Sequence, residues 1–252
     1  MEKLFRAVDE PQPDAFTRQS IEQGRAFVAD WYAKAERIPD PEECRRRVGA
    51  HMPEILGLFD RMAGFAGDDP AMIAALAGID PPPLIPAGCT VRAFTQPRPT
   101  MLRNYDFHPD ATSAVILRTE WSGRWMPCAW SHNVLVQDRS GKAIRAELAP
   151  DREPLVIDGN VVANHQAEVE PRPDSARRLG VACALVEDAE AARAVFVEGD
   201  LRKEDFDEWL GTLYTAEYVP GESAVTFHWR NGSWVQSLTR FEPGERRVVY
   251  PV

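Results

Sequence analysis

The sequence predicts an α+β fold, with helices and antiparallel strands in separate stretches of the chain. Three observations carry this expectation. Apolar residues recur at helical spacing through the first third. Pro81-Pro82-Pro83, with Pro86 just after, closes that third as a stiff extended connector. Beyond it the period changes to alternation, punctuated by turn signals. A chain of 252 residues makes one large domain, or one domain with an appended segment. With 44% hydrophobic and 27% charged residues it can build a core, so disorder and collagen-like or coiled-coil repeats are excluded as its main theme.

Within residues 14–36, Phe27, Val28, Trp31, Tyr32 and Ala35 form one apolar helical stripe. Asp40-Pro41-Glu42-Glu43 reads as a start, with Asp40 capping, Glu43 reaching back and Pro41 in the first turn, where its missing N–H costs nothing. Pro53 interrupts that helix, and a new one runs through Ile55, Leu56, Leu58, Phe59 and Met62. Asp69-Pro70 is a further start and Gly78 its stop. After the connector, residues 89–96 and 100–107 read as strands joined across Pro97-Arg98-Pro99, and residues 113–120 as a third. His132–Asp138 and Lys142–Leu148 flank the hairpin signal Arg139-Ser140-Gly141. Ala224–Arg230 and Ser233–Thr239 flank Asn231-Gly232, the pair suited to a type I′ turn. Between these strand regions, residues 175–197 are rich in Ala, Arg and Glu and read as helix.

The net charge of −10 lacks the basic footprint of a nucleic-acid or anionic-membrane binder. No stretch approaches the ~20 apolar residues of a membrane span. The opening MEKLFRAVDEPQPD meets acids and prolines before any apolar run, so no signal peptide is expected. Cys44, Cys89, Cys128 and Cys183 form no CxxC pair, which argues against a disulfide framework or a cysteine zinc site and makes the cytoplasm the expected compartment. Cys128 and His132 stand four apart without a helical pattern, so no metal is expected there. Glycine-rich phosphate loops, HExxH and GxSxG are missing from the sequence. Trp229 and Trp234, either side of Asn231-Gly232, read as cross-strand packing. On composition alone Cys89 reads as a small buried hydrophobe.

Three segments taken together change that reading: Gly88-Cys89-Thr90, Arg103-Asn104-Tyr105-Asp106-Phe107 and Asn164-His165-Gln166. In this order they resemble the isopenicillin N acyltransferase-like family, the cysteine branch of the N-terminal-nucleophile (Ntn) hydrolases. Choloylglycine hydrolases and acid ceramidase-like amidases are related more distantly. The resemblance extends to Gly211-Thr212-Leu213-Tyr214-Thr215-Ala216, to Trp234-Val235-Gln236-Ser237 and to the helical leader.

The resemblance implies a four-layer αββα sandwich with antiparallel sheets. It also implies a helical pro-segment over 1–88, cut from a catalytic domain over 89–252. Gly88–Cys89 would be the processed bond and Cys89 the nucleophile. Asp106 would hold the freed α-amine, Arg103 the thiolate, and Asn164 would donate to the oxyanion. Asn104, Tyr105 and His165 would border the substrate. The implied activity is hydrolysis of a linear amide, or acyl transfer from an acyl-amide or acyl-CoA, through a Cys89 thioester and without cofactor or metal. The chemistry is reasonable on its own terms. A free α-amine titrates at about 7.7–8.0 and a thiol at about 8.5, so an N-terminal cysteine can relay its own proton near neutrality.

Two departures from the family pattern shape further expectations. Leu102 stands where a glycine commonly precedes the Arg-Asn pair, and the middle of the chain, Trp121 to Trp130, is short. The short link implies a reduced helical layer, an uncovered sheet face and a homo-oligomer. The other function class is a catalytically degenerate assembly or binding module on the same scaffold. Without the resemblance, Arg103 and Asp106 read equally as a surface ion pair, and Asn164 as a turn residue. Arg103 and Asp106 stand three apart, so a regular strand aims them at opposite faces; both reach Cys89 only if the strand ends or bulges near Tyr105.

Overall fold

The computed structural model describes residues 1–80, 82, 88–109, 112, 114–118, 132–149, 152–208 and 210–251. In chain order the elements begin with β1 (Glu2–Asp9), α1 (Ala15–Tyr32), α2 (Pro41–His51), α3 (Leu56–Ala66) and α4 (Pro70–Ala77). Then come β2 (Gly88–Phe94), β3 (Thr100–Phe107), β4 (Val115–Arg118), β5 (His132–Gln137), β6 (Ala143–Ala149), β7 (Arg152–Asp158) and β8 (Val161–Val162). The chain continues with α5 (Pro173–Ala184), α6 (Ala189–Val197), β9 (Glu204–Asp205), β10 (Leu210–Val219), β11 (Ala224–Trp229), β12 (Gly232–Ser237) and β13 (Gly244–Val249). The fold is mixed α+β, as the two periodicities require.

The helical starts fall where the chemistry put them. Asp40 accepts from the Glu43 N–H at 2.8 Å, and Asp69 from the Met72 N–H at 3.0 Å, each with proline in the first turn. Pro53 breaks α2 from α3 with a single 3-10 turn, and Gly78 ends α4 at φ 63°. These four helices close on their own core, centred on Tyr32, Cys44, Val48, Phe59 and Met72. Burial pushes the Cys44 thiol up to about 11, as expected of an inert packing cysteine.

The reading of residues 1–88 as wholly helical is corrected at its start, because Glu2–Asp9 is a strand. It pairs antiparallel with β13 and parallel with β4, making a three-stranded sheet in the order β13-β1-β4. The predicted third strand therefore joins β1. A seven-stranded sheet runs β12-β11-β10-β3-β2-β8 with β9 beside β10, and β5-β6-β7 form a third sheet. The helical reading of 175–197 resolves into two helices, the second capped by Asp188. The terminal hairpin is shifted by one residue from expectation. Trp229 pairs with Gly232, so Arg230 and Asn231 form the loop and Gly232, at φ 140°, opens the return strand.

Side chains alternate across the seven-stranded sheet and give it two faces. One packs against α5 and α6 through Phe94, Leu102, Ala182, Ala192, Phe196 and Leu201. The other packs against the three-stranded sheet, where Phe5 meets Trp229 edge-on at 5.2 Å. Trp229 and Trp234 both belong to that core. The Arg193 guanidinium ties α6 to the sheet, bonding both carboxylate oxygens of Glu217 at 2.8 Å. Among the described residues no helix is long and apolar enough to cross a membrane. Cys128, the link from Trp121 to Trp130 and most of the proline connector lie outside the described residues, and with them the expected uncovered face.

Asn104, expected beside a substrate, sits instead on the helix-covered face and is wholly buried. Its amide donates to the Phe196 and Leu201 carbonyls at 3.0 and 2.8 Å and accepts from Thr215 Oγ1 at 2.8 Å. It therefore anchors the end of α6 to β3. Asn104→Ala takes the amide from both carbonyls and leaves the Thr215 hydroxyl only its 3.2 Å bond to the Phe196 carbonyl. The expected loss is about 2–4 kcal/mol, read from urea unfolding.

Candidate active site

β2 and β3 pair without a break, Cys89 opposite Tyr105 and Gly88 opposite Asp106. Alternation puts Cys89, Arg103 and Tyr105 on one face, and Thr90, Asn104 and Asp106 on the face beneath α5 and α6. On the first face, Arg103 Nη2 lies 3.5 Å from Cys89 Sγ. The half-buried Cys89 is thus met by a guanidinium that Tyr105, Tyr214 and Tyr218 enclose. Tyr105 and Tyr214 stack at 5.4 Å, and the Arg103 guanidinium lies 5.5 Å from the Tyr105 ring centre. Burial raises all three tyrosines, so they stay neutral around the cation. Burial also opposes the charge of Arg103, but the facing Cys89 sulfur overcomes it and the guanidinium is held more firmly protonated.

No bulge in β3 brings Asp106 to the site, which corrects the expectation of one near Tyr105. The irregularity lies in β10, between Thr212 and Tyr214. The extra residue, Leu213, is pinned through its carbonyl by the Tyr250 hydroxyl at 2.9 Å. This shift keeps Thr212 opposite Asp106, and Thr212 Oγ1 donates to Asp106 Oδ1 at 2.7 Å. Cys89 needs no bulge because it presents two groups. Its sulfur lies on the Arg103 face, while its main-chain nitrogen sits at the strand end, beside the Gly88 that Asp106 faces.

Asp106 is 1% exposed, and among the described residues its Oδ2 has no hydrogen-bond partner. A Cβ added to Gly88 would lie 3.0 Å from Asp106 Cβ and 3.1 Å from Oδ2. A side chain at this position would have to push Asp106 aside by a few tenths of an ångström. Burial drives the Asp106 carboxyl up to about 6, only partly offset by the Thr212 hydroxyl and by the Arg178 and Lys203 charges.

Asn164 follows β8, and its Oδ1 accepts from the Cys89 N–H at 2.8 Å. Its own N–H donates to Ser175 Oγ at 3.0 Å, and His165 Nδ1 lies 2.8 Å from the same hydroxyl. Hence Cys89, Arg103, Asp106 and Asn164 converge on the Gly88–Cys89 peptide, Tyr105 borders it, and His165 turns to Ser175.

Arg178 of α5 is the residue that sequence reasoning missed. Although 2% exposed, it donates to the Cys89 carbonyl at 2.5 Å, to Thr90 Oγ1 at 2.6 Å and to Asn164 Oδ1 at 2.7 Å. Its Nε is held by Asp174 at 2.9 Å. Burial works against the Asp174 charge, but Lys203 and Arg178 outweigh it and hold that carboxyl down to about 2. The available signal was Asp174 four residues before Arg178, a helical spacing that Arg177 nearly shares.

Among the described residues no group of three or more His, Cys, Asp or Glu side chains is placed to hold a metal ion. What the arrangement offers is a thiol beside a cation, next to a peptide whose nitrogen is held and whose glycine faces a buried carboxyl. No protein-family model matches the chain, and no curated protein matches it.

Proposed function

We propose that the chain is a self-processing cysteine amide hydrolase or acyltransferase of the Ntn kind, here in its uncut form. Cys89 Sγ attacks the Gly88 carbonyl carbon, and the C–N bond breaks as the S–C bond forms. The thiol proton passes to the departing nitrogen, which becomes the α-amine of Cys89. Water then opens the thioester, leaving a Gly88 carboxylate and a restored thiol. The same thiol, with its own amine as base, would next take the acyl group of a linear amide or acyl-CoA and pass it to water or to an amine. The helix-covered sheet packed on a second sheet suits the four-layer sandwich that this class implies.

The observation that carries the reading is Asp106 Oδ2, a buried acceptor with no partner among the described residues, held against the glycine that precedes the nucleophile. A carboxylate in that position awaits a cation, and cutting Gly88–Cys89 would create one. Arg103 at the sulfur supports the same reading from the other face.

Intact mass tests it. Incubated wild-type protein is expected to resolve into pieces of 88 and 164 residues, whereas Cys89→Ala stays at 252. A wild-type chain that stays whole yet turns over amides would rule the mechanism out. Gly88→Ala is expected to fold but to process ~10- to 100-fold more slowly, because the added methyl displaces Asp106 by a few tenths of an ångström or more. A time course on a denaturing gel reads that rate.

A further inference from the structure

We infer that in cutting Gly88–Cys89 Asn164 serves as the hydrogen-bond acceptor for the Cys89 nitrogen, not as the donor to the oxyanion of that step. The inference rests on Cys89 being the nucleophile, and it changes the part Asn164 plays.

Two donors converge on one atom of the Asn164 amide: the Cys89 N–H at 2.8 Å and Arg178 Nη2 at 2.7 Å. Both are donors only, so the atom between them is the carbonyl oxygen, whichever way the amide is first drawn. The surrounding chain holds that orientation. Asn133 Nδ2 of β5 donates to the carbonyls on both sides of Asn164, Ala163 and His165, each at 2.8 Å. Ser175 Oγ takes the Asn164 N–H at 3.0 Å. A side-chain amide gripped at its backbone and at its oxygen is not free to turn over.

Main-chain direction then separates Asn164 from the oxyanion of the cutting step. In a trans peptide the N–H and the C=O point to opposite edges. Cys89 turns both its polar atoms toward β8: its N–H meets Asn164 and its carbonyl meets Arg178. Ala93 does the same, its N–H donating to the Asn160 carbonyl at 2.8 Å. The alternate residues, Gly88 among them, therefore address β3, where Asp106 is the cross-strand partner of Gly88. The Gly88 oxygen lies roughly 5 Å from Asn164 Oδ1, at the opposite edge of the peptide. An oxyanion formed there is served from the β3 side. Asn164 instead steadies the nitrogen that leaves, and after the cut it points the lone pair of the new amine.

Replacing the acceptor with another acceptor separates the two roles. Asn164→Asp keeps an oxygen at this position, pairs its charge with Arg178 and loses the donor. If Asn164 is the acceptor, Asn164→Asp cuts Gly88–Cys89 within about tenfold of wild type while Asn164→Ala falls well below it. If it is the oxyanion donor, both lose ~10²–10³. Equal loss in the two variants, in a wild type that cuts, overturns the inference. A second measurement stands apart from processing. In the Cys89→Ala chain, which stays whole, the main-chain amide proton at position 89 is expected to be protected from exchange. Adding Asn164→Ala should speed its exchange by ~10-fold or more, and adding Asn164→Asp should not. Equal exchange in all three chains overturns the assignment. If wild type never cuts, the nucleophile reading falls, and this exchange experiment still decides what Asn164 accepts.

Discussion

Arg178→Met is expected to lower the melting temperature of the uncut Cys89→Ala chain by about 10 °C or more. The methionine fills most of the volume but donates nothing. It strands the Cys89 carbonyl and the Thr90 hydroxyl and takes from Asn164 Oδ1 one of its two donors, all three acceptors now lying within 2.7 Å of the guanidinium. Buried acceptors stripped of a partner cost about 1–3 kcal/mol each, and a chain of this size loses about 2–4 °C per kcal/mol. Asp174 keeps Lys203 at 2.8 Å, so no naked charge adds to the loss. Arg178→Lys, which reaches only one of the three acceptors, should recover less than half of it. Differential scanning calorimetry checks both. In chains that retain Cys89, the same substitutions should slow cutting by more than the stability change alone accounts for, because Asn164 loses the donor that orients its oxygen.

Asp106→Asn should move stability the other way. The carboxyl is raised from 3.8 to about 6 by burial, so its charged form is the disfavoured one. For a group raised on folding, the stabilisation is fully present below the unfolded value and lost as pH climbs through the folded value. The uncut wild-type site therefore carries no penalty near pH 3 and the whole of it by pH 7–8. Two pH units at ~1.4 kcal/mol each make that about 3 kcal/mol. In the Cys89→Ala background, Asp106→Asn should match its parent near pH 3 and exceed it by about 6–12 °C at pH 8. With Cys89 present, it should lose amide turnover by ~10²-fold or more, because no carboxylate remains to hold the amine. Equal melting at both pH values would show that Asp106 is not charged at a cost in the uncut chain.

These two residues also mark where the sequence stops being informative. Helix starts are legible because one capping side chain and one proline decide them locally, as at Asp40-Pro41 and Asp69-Pro70. The β2–β3 pair is legible because alternation sets which side chains share a face. Arg178 is not legible beside Arg177: a single helical step buries one and exposes the other, and only the packed sheet reveals which. The bulge at Leu213 escapes for a similar reason, since no residue in Leu210–Val219 differs from ordinary strand chemistry and the shift is held by Tyr250, far along the chain. β1 escapes because Glu2–Asp9 gains its strand partners only from β13 and β4. Alternation alone does not show that β3 can stay regular, because the sulfur and the nitrogen of Cys89 lie at different places and meet opposite faces of the sheet.

The first strand has a consequence for any chain broken between Gly88 and Cys89. β1 lies in the amino-terminal piece, yet both its neighbours belong to the other piece, through six residue pairs with β13 and four with β4. The terminal ammonium of Met1 donates to the Tyr250 carbonyl at 2.9 Å, and the Tyr250 N–H returns to the Met1 carbonyl at 2.7 Å. Tyr250 in turn holds the bulge behind Asp106. The two polypeptides would travel as one particle through gel filtration, and an affinity tag on either would recover both in equal amounts. They would part only under denaturant, and with them would go the shape of the site: the amino-terminal piece would stay on as a subunit, built into the sheet that packs against the strand of Cys89.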